Sequence, residues 1–113
     1  MASKELARLG DALVNFVVSA ALSLASGRAQ GEKVPRQTLR EAYRLSKLST
    51  TALPYHCDPA ESVEALLGYA WIRKCLSSEF AVELIYNRLS KGDALEKALA
   101  FLVDYVLNSC LRG

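Results

Sequence analysis

Histidine is almost absent from this chain: His56 stands alone among 113 residues. A Ser/His/Asp triad therefore has little to build on, and the cluster His56-Cys57-Asp58 has no second Cys/His pair to complete a zinc site, so it reads as loop. Cysteine is scarce too. Cys57, Cys75 and Cys110 form no CxxC pair, and their odd number argues against a disulfide framework as well as a zinc knuckle. A reducing, cytoplasmic setting is the expectation. No alternating strand pattern, internal repeat, low-complexity tract, P-loop or G-x-S-x-G occurs. Residues 12 to 27 carry no charge, but Asn15, Ser19 and Ser23 interrupt the run, which reads as too short and too polar to span a bilayer. Glu5 and Asp11 sit where a signal peptide would be positive.

What the chain does have is apolar residues with helical spacing. At 51% hydrophobic it is expected to fold as one domain over residues 1–113, near the size where dimerisation supplements a small core. Ser3 to Ser26 reads as a first helix, stopped by Gly27, with Lys4, Arg8, Asp11, Asn15, Ser19 and Ser26 on one polar stripe. Pro35 opens a second helix, read to about Leu48. Asp58-Pro59-Ala60-Glu61 carries N-cap, first-turn proline and capping-box signals for a third, whose apolar face is read on to Cys75. Ser77 or Ser78 caps a fourth to about Ser90, and Gly92 ends it. Asp93 to Glu96 repeats the capping-box pattern before a last helix to Leu111, in which 13 of the 18 residues from Ala94 are apolar. Such a helix is central or lies at a subunit interface.

Charge is uneven: residues 1–47 hold eight Lys/Arg against four Asp/Glu, and residues 48–113 hold six against eight. Arg36, Arg40, Arg44 and Lys47 recur at helical spacing, and with Lys33 just upstream they could track phosphates; an ordinary charged face is the plainer reading. Two glycines sit inside helical runs beside acids: Gly10 next to Asp11, and Gly68 one turn beyond Glu64 and two beyond Glu61. A helical glycine costs about 1 kcal/mol relative to alanine, which points to close approach of two backbones. Crossing there, the helices would bring Asp11, Glu61 and Glu64 together, where mutual repulsion favours a shared proton or a bound cation. Glu61 also serves as a cap, and Asp11 fits a solvated face. Glu64 lies on an apolar face, where a carboxylate is costly unless paired or metal-bound.

Leu9-Gly10-Asp11-Ala12-Leu13, followed by Asn15-Phe16-Val17-Val18-Ser19, resembles the signature helix of the ribonuclease III family, L-E-F-L-G-D-[SA]-V-L. Glu61-Ser62-Val63-Glu64-Ala65-Leu66-Leu67-Gly68 resembles its second acidic segment, D-x-V-E-A-L-[IL]-G, and Gly68-Tyr69 is a pair that compact members also show. The similarity spans about residues 6 to 76 and looks closest to short, single-domain members of an archaeal branch, with no double-stranded RNA-binding domain appended. The resemblance implies an all-α endonuclease domain of about five helices, a homodimer, and cleavage of double-stranded RNA with Mg2+ or Mn2+. It makes Asp11 and Glu64 metal ligands and catalytic residues, with Glu61, where the family has aspartate, as a weaker or water-mediated one. Ala7 and Lys4 fall where the family has acids. The same resemblance admits a weakened member that binds structured RNA or a protein without cutting, and the residues alone admit a helical dimer whose acids are only caps.

Overall fold

The computed structural model describes residues 3–51 and 58–111. Five α-helices and no strand occur among them: α1 Ser3–Ser26, α2 Arg36–Leu45, α3 Pro59–Ile72, α4 Ser78–Ser90 and α5 Leu95–Cys110, with a short 3₁₀ turn at Lys47–Thr50. The fold is all-α, as expected. The loop reading of His56 and Cys57 lies outside the described residues.

Helix α1 is the spine, packing along α3 and against α4, while α5 closes the core against α2 and α4. Its inward face is Val14, Val17, Val18 and Ala21, all nearly inaccessible, set against Leu67, Ile85, Leu99 and Val103 from the other helices. At 24 residues α1 is long and apolar enough, by length and composition, to cross a membrane, so the expectation that its apolar run is too short does not hold. Its residues are spent differently. The polar stripe, read as solvated, docks the returning loop: Asn15 Oδ1 accepts from the Val34 N–H at 2.8 Å, Ser19 Oγ from Glu32 at 2.7 Å and Ser23 Oγ from Gln30 at 2.9 Å. Lys33 is thereby laid beside Asp11. Gly27 takes φ +73° and ends the helix where the sequence places its stop.

Helix α2 is shorter than its pattern. Ser46 turns extended, its hydroxyl donating to the Tyr43 carbonyl at 3.0 Å and accepting from the Leu48 N–H at 3.3 Å, while the Lys47 N–H finds the Asp104 carboxylate on α5 at 2.7 Å. These bonds replace helical ones. Leu48 drops fully into the core, and Lys47 leaves α2 for the 3₁₀ turn. Asp58 does cap α3, accepting from the Glu61 N–H at 3.2 Å. That helix stops at Ile72, because Lys74 adopts φ +64° and the Cys75 N–H bonds back to the Ala70 carbonyl at 3.1 Å, a left-handed terminal turn. Cys75 therefore leaves the α3 face and joins Cys110 at the end of α5 in a disulfide, with Cα atoms 5.8 Å apart. This corrects the cysteine reading: an odd count does not forbid one bond, and spacing in the chain says nothing about the ends of two helices meeting.

Ser77 caps α4, accepting from Phe80, and Gly92 at φ +96° ends it. Asp93 does not cap α5, whose N-cap is Ala94 without a side-chain bond. The Asp93 carboxylate is instead held by Arg88 at 2.6 Å. A charge-assisted pair outcompetes a neutral backbone donor.

Candidate active site: an acid pair in a cation-lined cleft

The two helical glycines do what their spacing suggests. A Cβ on Gly10 would overlap the main-chain carbonyl of Glu64, and one on Gly68 would overlap the Leu6 carbonyl and lie 3.1 Å from the Gly10 nitrogen. Only hydrogen on both α-carbons lets α1 and α3 cross this closely. Beside the crossing a cleft of about 270 Å³ opens, lined by Lys4, Ala7, Arg8, Asp11, Lys33, Arg36, Glu61 and Glu64.

Asp11 and Glu64 share the cleft in different surroundings. The Asp11 side chain is 44% exposed and accepts from Asn15 Nδ2 and Lys33 Nζ, each at 3.3 Å. Burial raises its pKa, but hydrogen bonding with Glu64, Lys33 and Asn15 outweighs that and holds it below its usual range. Glu64 is 2% exposed. Its pKa is pushed up to about 7, first by burial and then by Asp11, with the Arg36 guanidinium and Lys33 opposing. Glu64 Oε1 lies 3.6 Å from Arg36, and Oε2 is buried with no hydrogen bond of ordinary geometry to any group. The pair thus splits into an ionised member and one that holds a proton near neutrality.

Glu61 lines the same cleft, and its backbone N–H is tied to the Asp58 cap. Among the described residues, no three acid, His or Cys side chains are gathered closely enough to hold one ion as placed. Asp11 and Glu64 are the interacting carboxylates. Ala7 faces the cleft from one turn before Asp11, so the position where the resemblance expects an acid is aimed at this site and contributes a methyl group.

Arg36, Arg40 and Arg44 keep their helical spacing on α2, but their partners differ and Lys47 leaves the helix. Arg36 turns into the cleft and bonds Asp58 at 2.9 Å, while Arg40 Nε lies 3.6 Å from the same carboxylate. Arg44 is paired with Glu41, and Lys47 sits on the next element. Lys33, 74% exposed at its side chain, belongs to the cleft through Asp11. Arg8 is a cleft residue the sequence reading did not single out; its place between Lys4 and Asp11 on the α1 stripe is the signal that could have found it.

A family model described as Ribonuclease III matches residues 4–111. The chain belongs to the ribonuclease III family. The match runs beyond residue 76 through α4 and α5, so the whole helical domain, and not only the two acidic segments, carries the likeness. In this ribonuclease III domain the signature helix is α1, and the second acidic segment is α3. A comparison with curated proteins finds no significant match.

Proposed function

We propose that the cleft is the catalytic site of a divalent-metal-dependent endoribonuclease that hydrolyses phosphodiester bonds of double-stranded or structured RNA, working as a homodimer in RNA processing. The observation that carries this reading is the buried Oε2 of Glu64, which has no hydrogen bond of ordinary geometry and has the ionised Asp11 as its acidic neighbour. An orphaned carboxylate oxygen is unfavourable in the free protein. Two carboxylates beside an open cleft suit magnesium or manganese, since magnesium is usually held by one or two carboxylates with waters and substrate phosphate completing its shell.

Asp11 and Glu64 would hold that ion, and Glu61 would reach it less directly. When bound, the ion would supply Lewis-acid polarisation of the phosphodiester and a more acidic water. The chain's own residues supply the rest. The close glycine crossing fixes the two acids relative to each other. Lys33 holds Asp11 ionised, and Arg36 with Arg40 presents guanidinium groups beside the cleft for backbone phosphates, which duplex RNA offers by shape and charge. Phe16 and Leu24, 57% and 62% exposed on α1, are apolar surface that supports a second copy.

A second reading has its own observation. Lys33 and Arg36 already neutralise Asp11 and Glu64, and Ala7 adds no acid to Asp11, Glu61 and Glu64, which favours a member that binds structured RNA or a protein without cutting. One assay separates the two. Long duplex RNA should be cut only with magnesium or manganese, in preference to duplex DNA, and Asp11→Asn or Glu64→Gln should abolish cutting while preserving the oligomer. Binding without cutting at saturating concentrations of both metals would select the second reading.

A further inference from the structure

The acid pair accounts for only part of the cleft. Its lining sets four cations, Lys4, Arg8, Lys33 and Arg36, against three carboxylates. Lys33 is paired with Asp11, and Arg36 with Asp58 and Glu64. Lys4 and Arg8 have no ion-pair partner among the described residues, and both are exposed. They lie four residues apart on one face of α1, so two like charges stand one turn from each other with only the Ala7 methyl group on the cleft wall between them. Like charges at that spacing destabilise a helix, and an anion between them reverses the sign.

We propose that this end of the cleft is a phosphate-binding subsite, in which Lys4 and Arg8 hold a backbone phosphodiester of duplex RNA by direct contact with no divalent ion between. The identity of the RNA rests on the endoribonuclease reading; the phosphate contact does not require cutting. Arg8 offers a planar fork that matches two phosphate oxygens, and Lys4 a compact point charge. The acids do not repel the ligand from this end, because Asp11 and Glu64 are offset by Lys33 and Arg36. Glu61, the third cleft carboxylate, lies within the field of Arg36 and forms no ion pair among the described residues, so with Lys4 and Arg8 added the lining is positive on balance. The cleft, at about 270 Å³, has room for a phosphate group beside the acid pair.

The test is binding without metal. A blunt duplex RNA is titrated by fluorescence anisotropy in EDTA over a salt series, with wild type, Lys4→Ala/Arg8→Ala, and the charge-keeping Lys4→Arg/Arg8→Lys. The alanine pair should bind roughly tenfold more weakly, with the slope of log affinity against log salt falling by about one per cation; the charge-keeping pair should restore the slope. Inorganic phosphate in EDTA should shift α1 amide resonances of wild type and leave those of the alanine pair unmoved. Wild-type affinity and slope in the alanine pair would overturn the subsite. Single Lys4→Gln and Arg8→Gln proteins give the same reading, about one unit of slope each, if the double variant folds poorly. Wild type that binds this way but never cuts with metal would sink the nuclease alone. Cutting by wild type together with unchanged binding by the alanine pair would sink the subsite alone.

Discussion

Raising the pH should weaken this fold, and Glu64 is the reason. The residue is 2% exposed, and its pKa moves from 4.5 to about 7, by burial first and by Asp11 second. The folded state therefore binds this proton more tightly than the unfolded chain does. The associated stability is complete below the unfolded value near 4.5 and is lost as pH rises through about 7. At about 1.4 kcal/mol per unit, the difference is on the order of 3 kcal/mol, a large share of the roughly 5–15 kcal/mol that holds a domain together. Asp11 does not mask it. Its pKa is lowered from 3.8, so its contribution is present above that value and is lost only at more acid pH. Urea unfolding in EDTA from about pH 5 to about pH 8 would show wild type declining by that amount. Glu64→Gln, a neutral isostere of the protonated acid, should lack the decline and be the more stable protein at the alkaline end. Taking the difference between the two proteins removes every contribution that they share. Magnesium at the alkaline end should restore wild type and do much less for Glu64→Gln, which keeps only the Asp11 ligand, because an ion that binds only the native carboxylates stabilises by mass action. A wild-type profile level across this range, or an equal slope in Glu64→Gln, would refute the argument.

Cys110→Ser opens a loop with a sequence separation of 35 and should lower stability by about 2–4 kcal/mol; equal melting of wild type with and without reductant would count against the bond. Lys74→Gly relieves a side chain held at φ +64° in the turn after α3 and should stabilise by about 1 kcal/mol, read from the urea midpoint at constant m-value. Arg40→Ala with Arg44→Ala should weaken duplex RNA binding roughly uniformly across sequences and flatten its salt dependence, measured by anisotropy; an unchanged slope would leave both as solvated charges.

The elements that could be read from the chain are those whose signals are local. Gly27, the Asp58-Pro59 pair and Ser77 each act on the backbone within a turn of their own position, and each marks its boundary in the structure. The features that escaped depend on residues far away in sequence. Helix α2 ends early because Asp104, 57 residues on, takes the Lys47 N–H; Asp93 abandons its cap because Arg88 reaches it from α4; and Cys75 finds Cys110 across two helices. The α1–α3 crossing was legible because a helical glycine has few other physical reasons to be there. The basic stripe was only half legible: periodicity placed the arginines on one face, but could not show that Asp58 would gather Arg36 and Arg40, or that Asn15, Ser19 and Ser23 would lay the loop with Lys33 along α1.

The vacancy at Ala7 ties these points together. The residue is 6% exposed and lines the cleft one turn before Asp11. A glutamate there would stand at i, i+4 to Asp11 and would place a third carboxylate beside an acid that already repels Glu64. Without metal, Ala7→Glu should therefore destabilise the fold by at least the few tenths of a kcal/mol that like charges at this spacing cost on an exposed helix, and by more because the position is nearly buried. With magnesium or manganese the sign should reverse, since a third oxygen donor adds to native-state binding while the unfolded chain gains nothing. Melting curves of Ala7→Glu and wild type should thus cross as metal is added, and duplex RNA cutting should rise or saturate at lower metal concentration. Parallel melting curves at every metal concentration, with no gain in cutting, would mean that Lys33 and Arg36 already fill the electrostatic role of the missing acid's ion, and that the cleft grips RNA by its cations.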